Sequence, residues 1–333
     1  MDEEDIIRTY FAPLAKGAEG AFGLIDDAAA LSPPSDSDLV ITTDALVGSI
    51  HFLPDDPPAD VATKALGVNL SDLAGKGADP LVYTLSLSLP APVSVDWLAG
   101  FRDGLAAMQD AHAIKLIGGD TTRSPEAIML SITAFGAVPA GSMVRRSTAQ
   151  AGDRLFVSGT IGDAALGLLA ATEDPRAEKW SLAPDARAFL LSRYRRPQPR
   201  TNLARVVRDF ASAGLDISDG LVIDATRMCR ASGVAATIRA GDVPLSPAAR
   251  ACVEADPHCL ETILTGGDDY ELLFTASPET TNALYRAAAA TGTAVQCIGE
   301  IIAPSEAGAH PVTVVGADGQ SLNLAHPGYT HFA

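Results

Sequence analysis

One local pattern governs what this chain can fold into. A β-favouring apolar run breaks off at an aspartate flanked by Gly, Ser or Thr, and the event recurs along the length with helical stretches between. Its fullest form is Leu39-Val40-Ile41-Thr42-Thr43-Asp44, continued by Ala45-Leu46-Val47-Gly48-Ser49-Ile50-His51-Phe52. A buried strand ending on Thr-Asp delivers a carboxylate to the rim of a sheet, within reach of a ligand; Asp also ends strands simply as a turn residue. Strands and helices alternate in both halves, so the chain is predicted to be α/β or α+β, built in layers. At 333 residues two domains are expected. A Pro-, Gly-, Ser- and Arg-rich connection at 139–152 puts their boundary near residue 140, giving domains 1–140 and 141–333.

Within the first domain, residues 5–15 read as a short amphipathic helix with Ile6, Ile7, Tyr10, Phe11 and Leu14 on one face. Asp26 and Asp27 follow a short apolar run and precede Ala28-Ala29, which fits either a ligand lying close to the backbone or a surface turn. Asp60 suits the N-cap of a helix reaching Leu73, on which Asn69 and Asp72 share a face. Leu85, Leu87 and Leu89 alternate with Thr84, Ser86 and Ser88, the signature of a half-buried strand. After a helix over 94–112, Lys115-Leu116-Ile117 ends in Gly118-Gly119-Asp120, where glycines admit a phosphate and the acid can hold a cation. Residues 127–138 form another strand.

In the second domain, strand 154–158 leads to a helix opened at Asp163, and helices cover 184–194 and 201–213. Asp216-Ile217-Ser218-Asp219-Gly220-Leu221 brackets a serine with two acids and opens a helix to about Ala231. Strand 234–238, helix 246–255, a second Gly266-Gly267-Asp268, strand 272–275, helix 278–290 and strand 294–299 complete the order, before a loop-rich C-terminal segment. Arg146, in the connection, offers a bidentate fork for phosphate oxygens or is an exposed linker cation.

A formal charge of −17 argues against nucleic acid as a partner and would repel a phosphorylated substrate unless cations intervened. One uncharged run, Ala127–Val144, approaches membrane-span length but contains Gly136, Pro139 and Gly141, so it reads as a strand and turn with no membrane role. The cysteines, Cys229, Cys252, Cys259 and Cys297, lack CxxC spacing, and the acidic start Asp2-Glu3-Glu4-Asp5 is unlike a signal peptide; a cytoplasmic protein is expected. The element-end acids Asp27, Asp44, Asp72, Asp120, Asp216 and Asp219, beside hydroxyls and carbonyls, are hard oxygen donors suited to Mg²⁺. Metal-assisted phosphoryl transfer needs positioning and charge neutralisation and no covalent protein nucleophile. The nucleophile-elbow, HExxH, Walker-A and protein-kinase signatures are absent. The same acids could instead cap helices and turns of an acidic α/β protein.

The ordered motifs resemble those of the thiamine-monophosphate kinases, within the superfamily that includes aminoimidazole ribonucleotide synthetase. They are Asp26-Asp27-Ala28-Ala29, Thr42-Thr43-Asp44-Ala45-Leu46-Val47, His51-Phe52, the run Lys64 to Leu73, Gly118-Gly119-Asp120-Thr121-Thr122, Gly152-Asp153, Val157 to Asp163, Asp216 to Leu221, Gly266 to Leu272 and Gly328-Tyr329-Thr330-His331-Phe332. The resemblance implies a two-domain fold with a mixed sheet and helices in each domain, and a homodimer that pairs the N-terminal domains. It implies transfer of the γ-phosphoryl group of ATP onto thiamine monophosphate. Several Mg²⁺ ions would be held by Asp27, Thr43, Asp44, Asp72, Asp120, Asp216 and Asp219; ATP would contact Gly119, Asp120, Arg146 and Ser218; and the acceptor would meet His51, Asp268 and Tyr329. Three positions depart from the family pattern: Ile25 stands where Gly is common, Asp268 where Glu is, and Tyr329 where Trp is. The alternatives implied are an ATP-dependent ligase of the synthetase branch and a non-catalytic nucleotide-binding relative.

Overall fold

The structure, a computed structural model, describes residues 2–304 and 310–330; His331 and Phe332 of the C-terminal motif lie outside them. The chain divides into one unit of Met1–Leu73 with Ala78–Met143 and a second of Ala74–Gly77 with Val144–Ala333.

The first unit opens with α1 (Glu3–Ile6), extended by a π turn over Ile7–Phe11 and a 3-10 turn over Ala12–Ala15. Ile6, Tyr10, Phe11 and Leu14 are buried, the face that the spacing predicts. Then come β1 (Ser37–Val47), α2 (Pro58–Gly75), β2 (Asp79–Pro90), α3 (Val95–His112), β3 (Lys115–Ser124) and β4 (Met129–Pro139). The four-stranded sheet runs β1-β4-β2-β3, with β2 and β3 parallel across α3 and the other pairs antiparallel. Helices α2 and α3 lie on one face: the α3 residue Gln109 donates to the Tyr83 hydroxyl of β2 at 3.1 Å, and the β1 residue Thr42 donates to Asp72 of α2. Val61, Ala62, Ala65, Leu66, Leu70 and Leu73 of α2 are at most 2% exposed. Each such Leu contributes about 1.5–3 kcal/mol of transfer free energy, which is what fixes the helix to the sheet. Leu85, Leu87 and Leu89 are buried as their alternation predicts. The helix begins at Pro58, so Asp60 sits in its first turn and not at its cap.

The second unit carries β5 (Arg154–Ser158), α4 (Asp163–Ala171), α5 (Pro175–Glu178), α6 (Pro184–Arg195), α7 (Ala204–Phe210), β6 (Ala213–Asp216), α8 (Leu221–Ser232) and β7 (Ala235–Arg239). α9 (Pro247–Ala255), α10 (Cys259–Thr265), β8 (Leu272–Ala276), α11 (Thr281–Ala290), β9 (Val295–Ile302) and β10 (Val312–Val315) follow. Its sheet runs β10-β7-β9-β5-β8-β6; β10 and β7 are parallel and the other pairs antiparallel. The core gathers Leu155 and Val157 of β5, Leu166 of α4, Leu221 and Met228 of α8, and Leu273 of β8. The helix expected over 201–213 stops at Phe210, because Ala211 turns extended and Ala213-Gly214 are drawn into pairing with Phe274 and Thr275. Among the described residues no helix is long and apolar enough to cross a membrane.

Candidate active site

A cavity of about 510 Å³ lies along β3 in the first unit, lined by Phe11, Asp26, Asp27, Ser86, Gly119 and Asp120 among others. The loop that carries the two adjacent acids is closed at its base by the Ala30 amide donating to the Gly20 carbonyl at 2.9 Å. Inside it Phe22, Gly23 and Leu24 take left-handed φ of 48°, 69° and 58°. For the two residues with a Cβ that conformation costs about 1 kcal/mol each, a strain the rest of the loop has to hold. It leaves Asp26, Asp27 and Ile25 exposed, Ile25 at 91%.

β3 does not end at the Gly-Gly-Asp, as the sequence suggested, but continues to Ser124, so Asp120 projects from mid-strand opposite Ser86. The register slips between Tyr83 and Thr84 so that Ile117 bulges. Gly119 is required by the sheet itself: a Cβ there would stand 1.9 Å from the Leu85 carbonyl oxygen. The space its missing side chain leaves is filled by β2, and only its backbone borders the cavity.

β1 also departs from expectation. Asp44 is not at its end, since the strand runs on to Val47, and the run Leu39–Ile41 is not buried throughout. Val40 is buried, while Ile41 is 60% exposed. Alternation therefore puts Thr43 and Asp44 on opposite faces. Thr43 shares the open face with Thr133, whose hydroxyl donates to its own at 3.1 Å, and with Ser131. Asp44 points to the helix-covered face, two residues from Thr42, whose hydroxyl donates to Asp72. The first-unit acids thus separate into Asp27 with Asp120 at the cavity, and Asp44 with Asp72 behind the sheet. His51, in the turn after β1, accepts the Val47 amide on Nδ1 at 3.0 Å. That bond assigns the ring proton to Nε2, the nitrogen from which a phosphate contact would have to come.

In the second unit, Asp216 closes β6, buried, and Ser218 and Asp219 form the turn into α8. The Asp268 amide donates to the Ser218 carbonyl at 2.8 Å, and the Tyr329 amide to the Asp219 carbonyl at 3.0 Å. Two expected acceptor contacts are therefore tied by backbone to two expected nucleotide or metal contacts. Gly267 is needed for this closeness, as a Cβ there would lie 2.4 Å from the Ser218 carbonyl oxygen. Asp268 itself holds φ at 71°, left-handed without being glycine. Arg146 is exposed; its carbonyl accepts from the Ser232 hydroxyl at 3.0 Å.

Several residues that support this part of the second unit have no role assigned from the sequence, although Asp269 and Glu271 lie inside the Gly266–Leu272 motif. Asp224, 1% exposed, accepts the amides of Ser218, Asp219 and Gly220 at 3.1, 2.9 and 3.2 Å on a single oxygen. Burial pushes its carboxyl up to about 6, while the Asp219 amide and Arg227 pull it back against the charge of Asp219. Its place three residues before Arg227 on one helix face was the available signal. Asp269 accepts the Gly162 and Ala164 amides at the start of α4. Glu271, fully buried, meets Ser158 at 2.6 Å, Arg193 at 2.8 Å and Arg200 at 2.7 Å. A larger cavity of about 800 Å³, beside Asp242, Arg250 and Asp318, contains none of the expected site residues.

Among the described residues no three His, Cys, Asp or Glu side chains converge to close a metal cage. The donors at the first-unit cavity are all hard oxygens, however, and Mg²⁺ at phosphate-handling sites is held by one or two carboxylates together with water and substrate phosphates. The donor set fits that mode of binding and not a closed protein cage.

The family model described as "AIR synthase related protein, N-terminal domain" matches residues 25–138, and the corresponding C-terminal domain model matches 150–310. The thiamine-monophosphate kinase of Salmonella typhimurium is 42% identical over 93% of this chain and 92% of that protein. Among solved structures, thiamine-monophosphate kinase from Stenotrophomonas maltophilia superposes with a TM-score of 0.79 at 40% identity, covering 90% of this chain and 91% of that one. A structure described as AaThiL complexed with AMPPCP and TMP has a TM-score of 0.77 at 31% identity, covering 94% and 97%. With two such domains in order, and full-length relatives above 40% identity, the chain belongs to the AIR synthase-related family and, within it, to the thiamine-monophosphate kinases.

Proposed function

We propose that this enzyme transfers the γ-phosphoryl group of ATP directly to the phosphate of thiamine monophosphate, giving thiamine diphosphate and ADP. The bond from the γ-phosphorus to the bridging oxygen breaks, and one to an acceptor phosphate oxygen forms, with no covalent enzyme intermediate. The observation that carries the reading is the cavity in which Asp27, Gly119 and Asp120 meet beside a strand backbone. The relative in complex with AMPPCP and TMP supports the same pair of substrates.

Asp27, Thr43, Asp44, Asp72, Asp120, Asp216 and Asp219 are the oxygen donors assigned to Mg²⁺. When bound, Mg²⁺ would neutralise the phosphates and so offset the repulsion of a chain with net charge −17. Gly119 gives its backbone to the nucleotide, Ser218 its hydroxyl, and the exposed Arg146 its guanidinium fork. His51 donates from Nε2 to the acceptor phosphate, and Asp268 and Tyr329 bind the rest of the acceptor. Two copies of the chain pair through the open face of the first sheet, where Ile41 and Met129 are 60% and 48% exposed. The enzyme works in the cytoplasm, where its free cysteines stay reduced.

A coupled assay tests the reaction: ADP release should require thiamine monophosphate and Mg²⁺ together. Asp44→Asn should lower turnover by about two orders of magnitude or more while circular dichroism and melting stay near wild type. Near-normal turnover in that variant would remove Asp44 from the metal set. ADP release independent of thiamine monophosphate would overturn the proposed substrate.

A further inference from the structure

Two carboxylates share one guanidinium beside the turn that opens α8. Arg227 Nη1 lies 2.7 Å from Asp224 Oδ1 and also contacts Asp219 Oδ2. The two acids are not equivalent. Asp224 is buried and bound on both oxygens, the second one by three successive backbone amides, with its side chain 1% exposed. Asp219 has a side chain 22% exposed, and Arg227 one 37% exposed. The guanidinium therefore has a buried anchor at Asp224 and a more exposed contact at Asp219 that a side-chain rotation can release. Two carboxylates and one guanidinium leave the cluster with a single net negative charge, a sign that still draws a cation.

We propose that Arg227 is a resident counter-cation for Asp219: it neutralises that carboxylate until a divalent cation takes it, and then remains on Asp224 alone. The inference rests on the reading of Asp219 as a metal ligand. Two cations at one carboxylate repel each other, so each lowers the occupancy of the other, and by linkage the coupling is reciprocal. Arg227 thereby weakens divalent-ion binding while stabilising the metal-free turn. Asp224 is the positioning residue of the arrangement, since it fixes both the backbone of Ser218–Gly220 and the retreat of Arg227.

The test is Mn²⁺ binding to the full chain, followed by loss of the free-ion electron paramagnetic resonance signal, with and without a non-hydrolysable ATP analogue. Arg227→Gln should bind Mn²⁺ about two- to fivefold more tightly, the scale of one half-exposed ion pair. Its metal-free melting temperature should fall, and MgCl₂ should raise that temperature by more than in wild type. Arg227→Lys, which keeps the charge, should bind Mn²⁺ within about twofold of wild type and guards against a glutamine variant that fails to fold. Unchanged Mn²⁺ affinity in Arg227→Gln would reduce Arg227 to a structural ion pair, and weaker affinity would make it an orienter of Asp219; either overturns the inference. A changed affinity in Arg227→Lys overturns it too. Turnover of thiamine monophosphate by the wild-type preparation reports separately on the kinase reading. An active wild type with unmoved Mn²⁺ affinity in the glutamine variant discards only the counter-cation.

Discussion

Asp268 and Asp269 are adjacent and have opposite surroundings. Asp268 is half-buried in a left-handed turn against Ser218, whereas Asp269 is 1% exposed with both oxygens engaged by the Gly162 and Ala164 amides. Burial pushes the Asp269 carboxyl up to about 8, against the downward pull of those amides. Asp269→Asn swaps an acceptor for a donor facing one amide, so it should cost about 1–3 kcal/mol in denaturant unfolding. The pH dependence carries a sign. A folded-state pKa raised above the unfolded value means the native chain holds the extra proton, so the stability it brings is complete below the unfolded pKa and is lost as pH rises through the folded one. The cost of Asp269→Asn should therefore shrink between about pH 5 and about pH 8, by at most about 1.4 kcal/mol per pH unit for one proton. A cost that grew over that range would show the carboxylate, and not the acid, to be the form held by the amides.

At the scale of elements, Glu271 joins the start of β8 to β5 through Ser158 and to the end of α6 through Arg193. Removing its charge leaves Arg193, 5% exposed, and Arg200 without their counter-ion. Glu271→Gln should lower stability by about 3–5 kcal/mol, read as a fall in denaturant midpoint; a loss under about 1 kcal/mol would mean that water replaces the pair. Such links explain which parts were legible in the sequence. β2 was legible because its alternation matches its burial. β1 was misread because Leu39, Val40 and Ile41 look alike as an apolar run, although Ile41 lies on the open face. α10 and β10 were missed because seven and four residues are too short for a period to register. At the site, Asp216-Ile217-Ser218-Asp219 and Gly266-Gly267-Asp268 stood out as local patterns. Their supports did not, because Ser158, Arg193 and Arg200 lie 113, 78 and 71 residues from Glu271, beyond the reach of any spacing rule.

For the molecule as a whole, net charge and the open face of the first sheet pull in opposite directions. Two chains of charge −17 repel each other, so self-association must come from apolar contact and from pairing of sheet surfaces. The face that could supply it carries Ile41 and Met129, both largely exposed, set among Thr43, Thr84, Ser131 and Thr133. β1 is in addition an edge strand of that sheet, with backbone groups directed outward. Repulsion is screened by salt while apolar burial is not, so a dimer formed here should tighten as ionic strength rises. Sedimentation velocity across a salt series reads this directly, with Ile41→Lys as the probe because it adds a charge on the open face, at its β1 edge, without touching the buried side of that strand. The variant should shift the population toward monomer at every salt concentration while its far-ultraviolet circular dichroism stays unchanged. A wild-type chain that sediments as a monomer at high salt, or an Ile41→Lys chain that dimerises as readily as wild type, would move self-association away from this face.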